Sequence, residues 1–99
     1  GHLIQNKGTN TICDGLLTSL CNLTFGILNE HLESIITISD EEVLAAMKLL
    51  QEHLDIVVEP SGATVLAAVL TEEFRALKDI DSVGLVISGG NLDPEMLPK

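Results

Sequence analysis

Tryptophan and tyrosine are absent from these 99 residues, and Phe25 and Phe74 are the only aromatic side chains. Base-stacking platforms are thereby nearly excluded, since single-stranded nucleic acid is held on aromatic faces. Positive charge is also scarce. Lys7, Lys48, Arg75, Lys78 and Lys99 lie scattered among 15 acidic residues, for a net charge of −10. A phosphate backbone needs clustered Lys and Arg, so nucleic acid does not fit as a partner. The acidity reads instead as solubility. Cys13 and Cys21 are too few for a disulfide framework, which points to a reducing, cytoplasmic setting. No apolar run reaches the roughly 18–20 residues of a membrane span. The densest, Ala63 to Leu70, is short and contains Thr64. The start carries no signal-peptide pattern. His31 and His53 lack partners at metal spacing, and the two cysteines form no zinc pattern. A Gly-x-Ser-x-Gly elbow, a Gly-Lys-Ser loop and a dinucleotide fingerprint are all missing.

What remains is aliphatic. The chain is 45 % hydrophobic with a mean hydropathy of +0.36. A chain of this length buries only about 60–70 % of its unfolded surface, so its own core is modest. Part of the apolar surface is therefore expected to lie against the rest of an enzyme or a second subunit. No repeat, low-complexity tract or linker divides the chain. Residues 1–10 are polar and Gly-bearing, the pattern of a flexible arm or a tag remnant.

Periodicity supplies the elements. Leu16, Leu20, Leu23, Ile27 and Leu28 fit a helix over Leu16 to Leu32, interrupted or bent near Gly26. Ile35-Ile36-Thr37-Ile38 reads as a short strand. Ser39 followed by Glu42 is a capping box opening a helix through about Leu54. Asp40 and Glu41 favour the positive end of its dipole. Its buried stripe is expected at Val43, Ala46, Met47, Leu50 and Leu54. A β-branched run from Asp55 to Val58 ends at Pro60. Ser61 can then cap a helix from about Gly62 to Leu77, apolar on nearly every side and so buried from several directions. Ser82 to Ile87 reads as a last, buried strand. Strand, helix, strand, helix, strand predicts an α/β fold, a short parallel sheet with packed helices.

Three junctions carry the chemistry. Val86-Ile87-Ser88-Gly89-Gly90-Asn91-Leu92-Asp93 takes a β-branched run into one hydroxyl and a bare backbone. Ligands of open α/β sheets sit beyond such strand ends. Ile56-Val57-Val58-Glu59-Pro60-Ser61-Gly62-Ala63 ends another apolar run in a lone carboxylate. Asn10-Thr11-Ile12-Cys13-Asp14-Gly15-Leu16 is the third. On spacing alone a Gly-Gly turn after a strand is a weak signal.

Together the three resemble the C-terminal part of the large domain in serine racemases and threonine (serine) dehydratases. These are pyridoxal-phosphate enzymes of fold type II, the tryptophan synthase β-like class. The resemblance runs roughly from Thr11 to Leu97, which makes 11–99 a C-terminal segment of a large cofactor-binding domain. Ser-Gly-Gly-Asn, an aliphatic residue and Asp match the family pattern residue for residue. Cys13 stands where the family's Thr-Ile-Ala-Asp-Gly has alanine, a small-for-small exchange.

The resemblance implies roles for six residues. Ser88 would hydrogen-bond the pyridine nitrogen of the cofactor, with Gly89, Gly15 and Glu59 also on the cofactor side. A hydroxyl partner leaves the ring a milder electron sink than a carboxylate would, which suits β-elimination from a small hydroxy amino acid. Asp14 and Thr18 would face the substrate. No metal ligand is implied here, since the divalent-cation ligands of racemase-like members fall upstream of the matched part. The Schiff-base lysine, in a Ser-x-Lys-x-Arg-like segment, and the glycine-rich phosphate loop are missing as well. The expectation is a lyase or isomerase segment that is inert alone and requires the remainder of the enzyme or a second subunit. A stand-alone, non-catalytic association module on the same α/β fold is the alternative, its apolar surface then serving as a dimer face.

Overall fold

The computed structural model describes residues 2–4, 10–93 and 95. Most of the expected arm, including Lys7, and the end of the chain, including Leu97 and Lys99, lie outside the described residues. A 3-10 turn at Asp14–Leu16 is followed by helices α1 (Asn22–His31), α2 (Asp40–Leu54), α3 (Pro60–Val69) and α4 (Glu72–Arg75).

Helix α2 is the best-specified element. The Ser39 hydroxyl accepts the Glu42 amide at 3.2 Å, and the Glu42 carboxylate accepts the Ser39 amide at 3.0 Å. Two donors that a helix start would leave orphaned are satisfied reciprocally. The helix ends where Asp55 enters the left-handed region at φ 54°, a conformation its short polar side chain tolerates. Val43, Ala46, Met47 and Leu50 are buried as the periodicity predicts. Leu54 is not; at the last turn it stands 59 % exposed.

Helix α3 packs against α2, and small residues at Ala46, Ala63 and Ala67 line the contact. No residue of α3 is exposed, in keeping with its all-round apolar character. Its boundaries differ from the expected Gly62 to Leu77. Pro60 takes the first helical position, where its missing N–H costs nothing, and Glu59 is the N-cap. Ser61 is therefore inside the helix and does not cap it. At the far end the helix stops at Leu70, because the Thr71 hydroxyl competes for backbone groups. It donates to the Ala68 carbonyl at 2.6 Å and accepts the Phe74 amide at 3.2 Å, capping the short α4. The expected first helix is likewise divided, into the 3-10 turn and α1. Gly26 sits inside α1 and does not break it.

Among the described residues there is no strand, so the expected parallel sheet is not seen. Ile35–Ile38, Asp55–Val58 and Ser82–Ile87 lie outside the helices, but none pairs in a ladder. Just beyond the ends of the second and third, one backbone bond runs from the Glu59 amide to the Gly89 carbonyl at 3.2 Å. A β-branched run favours extended backbone, whereas a strand exists only with a paired neighbour. Ile35 (74 % exposed) and Val86 (80 %) show how open these runs are. The molecule measures 40 × 36 × 19 Å, about two helix diameters in its thinnest direction.

Candidate functional site

The three junctions singled out in the sequence converge on the N-terminus of α3. Val58 is buried in the core and fixes where the chain emerges. Glu59 follows, half-buried, at the N-cap, with its amide bonded to Gly89. Gly89 has φ +71°, a left-handed conformation that favours glycine. A Cβ at Gly89 would overlap the Glu59 carboxylate, so the carboxylate lies directly over bare backbone. One turn into α3, the Ser88 carbonyl approaches Gly62 so closely that no Cβ fits there. A second close approach sets Gly90 against the Val57 carbonyl. Ser88 itself is exposed, and among the described residues its hydroxyl has no hydrogen-bond partner.

The third junction reaches the same helix end from the other side. The Gly15 amide donates to the Ser61 hydroxyl oxygen at 3.1 Å, and the 3-10 turn packs on α3. Asp14 stands exposed at the start of that turn. Before it, Cys13 is 2 % exposed in the core beside Val43 and Ala63. Burial pushes its thiol above the ordinary range, and the Asp40 and Asp14 carboxylates add to this while the Thr11 hydroxyl opposes it. A thiol kept neutral in this way packs as a small apolar group, which is how it can stand in for alanine. Because the folded state disfavours the thiolate, Cys13 contributes stability below the ordinary thiol range and loses it as pH rises through its own raised pKa.

Of the six residues expected at the site, Glu59, Ser88, Gly89 and Gly15 are thus joined through α3 by direct contacts, with Asp14 beside them. Thr18 is exposed, two residues beyond the 3-10 turn. Gly62 and Asp40 also matter to the site's geometry. Gly62 has a readable signal, a glycine inside a helix otherwise made of good apolar formers. The partner of Asp40 is 28 residues or more away and leaves none.

The chemistry available is one-sided. The polar groups offered here are the exposed Ser88 hydroxyl, with no partner among the described residues, and the half-buried Glu59 carboxylate, while the close approaches at the glycines are filled by this chain's own atoms. Among the described residues the lysines are Lys48, within 3.9 Å of Glu52 on the surface of α2, and Lys78, exposed outside the helices. A neutral hydroxyl such as that of Ser88 could pair with one ring nitrogen of pyridoxal phosphate, and among the described residues neither Lys48 nor Lys78 belongs to the group of contacts around it. Among the described residues no cluster of His, Cys, Asp and Glu could hold a metal ion.

Comparison with known proteins identifies the class. Residues 1–89 match the family model described as pyridoxal-phosphate dependent enzyme, and the chain belongs to that family. Within it, the chain is 49 % identical to the serine racemase of Dictyostelium discoideum over 90 residues, covering 91 % of this chain and 28 % of that enzyme. Over 100 residues it is 41 % identical to the β-hydroxyaspartate dehydratase of Paracoccus denitrificans, covering 99 % of this chain and 30 % of the enzyme. In three dimensions it resembles maize serine racemase, with a TM-score of 0.90 and 38 % identity, over 96 % of this chain and 31 % of that one. It also resembles a T.th. threonine deaminase, at a TM-score of 0.81 and 40 % identity, over 92 % and 30 % of the two chains. The fold family is therefore that of the fold type II enzymes. This chain spans less than a third of the relatives it matches.

Proposed function

We propose that this chain is the C-terminal segment of a pyridoxal-phosphate-dependent serine/threonine ammonia-lyase or serine racemase, acting in the cytoplasm. It contributes the pyridine-nitrogen side of the cofactor site and is inactive alone. The observation that carries the reading is the convergence of Ser88, Gly89 and Glu59 on the N-terminus of α3, with the Ser88 hydroxyl left unpartnered among the described residues.

When bound, the cofactor withdraws electrons from the α-carbon of an amino acid and so eases loss of its α-proton. The residues of this chain orient and exclude. Ser88 would offer the ring nitrogen one neutral hydrogen bond, and Gly89 would supply bare backbone beside it. Glu59, whose amide donates to the Gly89 carbonyl, would present its carboxylate on the cofactor side. Asp14 stands ready to accept a hydrogen bond from a donor group of a small hydroxy amino acid. The lysine, the phosphate cradle and any divalent-cation site would belong to the remaining polypeptide. Leu23 and Ile27, 74 % and 52 % exposed on α1, are the kind of surface that polypeptide would cover.

The test is a graft in which this chain replaces the matching segment of the Dictyostelium racemase. Turnover of L-serine by the graft, with none by the isolated chain plus cofactor, is the expected result. Turnover by the isolated chain, or none by a folded graft that binds cofactor, contradicts the reading.

A further inference from the structure

The segment leading to Asp14 is anchored at two helix starts. Asp40, the first residue of α2, accepts the Thr11 hydroxyl at 2.7 Å and the Ile12 amide at 3.3 Å, one on each carboxylate oxygen. The same Thr11 hydroxyl accepts the Cys13 amide at 3.2 Å. Cys13 is sealed in the core, and the Gly15 amide is held by Ser61 in the first turn of α3. Residues 11, 12, 13 and 15 are therefore all fixed. Asp14 lies between the two anchors and has only its side chain free. The tethers lie on α2 and α3, which pack against each other through buried alanines. Helix packing thus sets where the Asp14 carboxylate stands relative to Glu59 and Ser88.

We propose that Asp40 and Ser61 are positioning residues that clamp the Asp14–Gly15 turn and so fix the substrate-side carboxylate relative to the cofactor side. The proposal rests on the enzyme reading above. A helix-dipole role would account for an acid at Asp40, but Glu41 and Glu42 already supply that charge. It would not account for both carboxylate oxygens being occupied by a segment 28–29 residues away. Ser61 sits where a cap would be unusable, because Glu59 and Pro60 already start the helix. Its hydroxyl is spent on Gly15. A Cβ at Gly15 would come within 2.9 Å of that same oxygen, so the turn is seated directly on it.

The test uses the active graft with Ser61→Ala, Ser61→Thr, Asp40→Asn and, as a control for stability alone, Leu50→Ala. Losing one hydrogen bond of the clamp raises KM for L-serine about two- to tenfold in Ser61→Ala and Asp40→Asn, with the cofactor absorption spectrum unchanged. Threonine keeps the acceptor, so Ser61→Thr stays within about twofold of the parent. Leu50→Ala lowers the melting temperature and leaves KM alone. Unchanged KM in both clamp variants, or an equal rise in Leu50→Ala, overturns the positioning role while the enzyme reading stands. No turnover in the unsubstituted graft overturns that reading and the positioning role with it.

Discussion

Helices α1 and α2 look alike in the sequence and could hardly differ more in the structure. Both carry apolar residues at helical spacing. Yet α2 buries four side chains, whereas α1 buries none. The caps differ in the same sense: Ser39 and Glu42 close the start of α2 reciprocally, and Cys21 makes no capping bond for α1. Periodicity reports that a face is meant to be buried, not against what. In α2 the partner is α3, within this chain. Helix α1 has no such partner among the described residues.

The contrast can be broken by substitution. Leu50→Ala should cost about 2–5 kcal/mol, because it leaves a cavity between α2 and α3. Leu23→Ala in α1 should cost less than about 0.5 kcal/mol in the isolated chain. Denaturant melts of both variants decide the matter. Equal losses would mean that α1 is packed within the chain after all. Between these lies Gly62→Ala, expected to cost about 1–3 kcal/mol through forced overlap with the Ser88 carbonyl. Its signature is displacement of the Ser88–Gly90 amide resonances with α2 unmoved. If those resonances stay in place, the loop is not seated on Gly62.

How much was legible in the sequence follows the same division. The capping box and the buried stripe through Leu50 depend on residues within a turn of each other, and both were readable. The sheet was not, because pairing joins segments far apart and depends on chain that need not be present. The helix break at Thr71 had a local signal, a threonine ahead of Glu72 and Glu73 as at a helix start, but the apolar run before it read as one continuous helix. At the site, the motifs located Ser88, Gly89, Glu59 and the Asp14–Gly15 turn. They did not reveal that Ser61 binds Gly15, nor that Asp40 holds Thr11. Both are long-range polar contacts that leave no local pattern.

The central claim is that this segment supplies the nitrogen side of the cofactor site while the lysine comes from elsewhere. Ser88→Ala in the active graft tests it most directly, with turnover, cofactor spectrum and borohydride-trapped peptide measured together. Leaving the ring nitrogen unpaired in the assembled site is worth about 1–3 kcal/mol, a loss of roughly five- to 150-fold in turnover. Cofactor should still be trapped on a single lysine outside this segment. Unchanged turnover with an unchanged spectrum, or a trapped lysine that proves to be Lys48 or Lys78, would contradict the account.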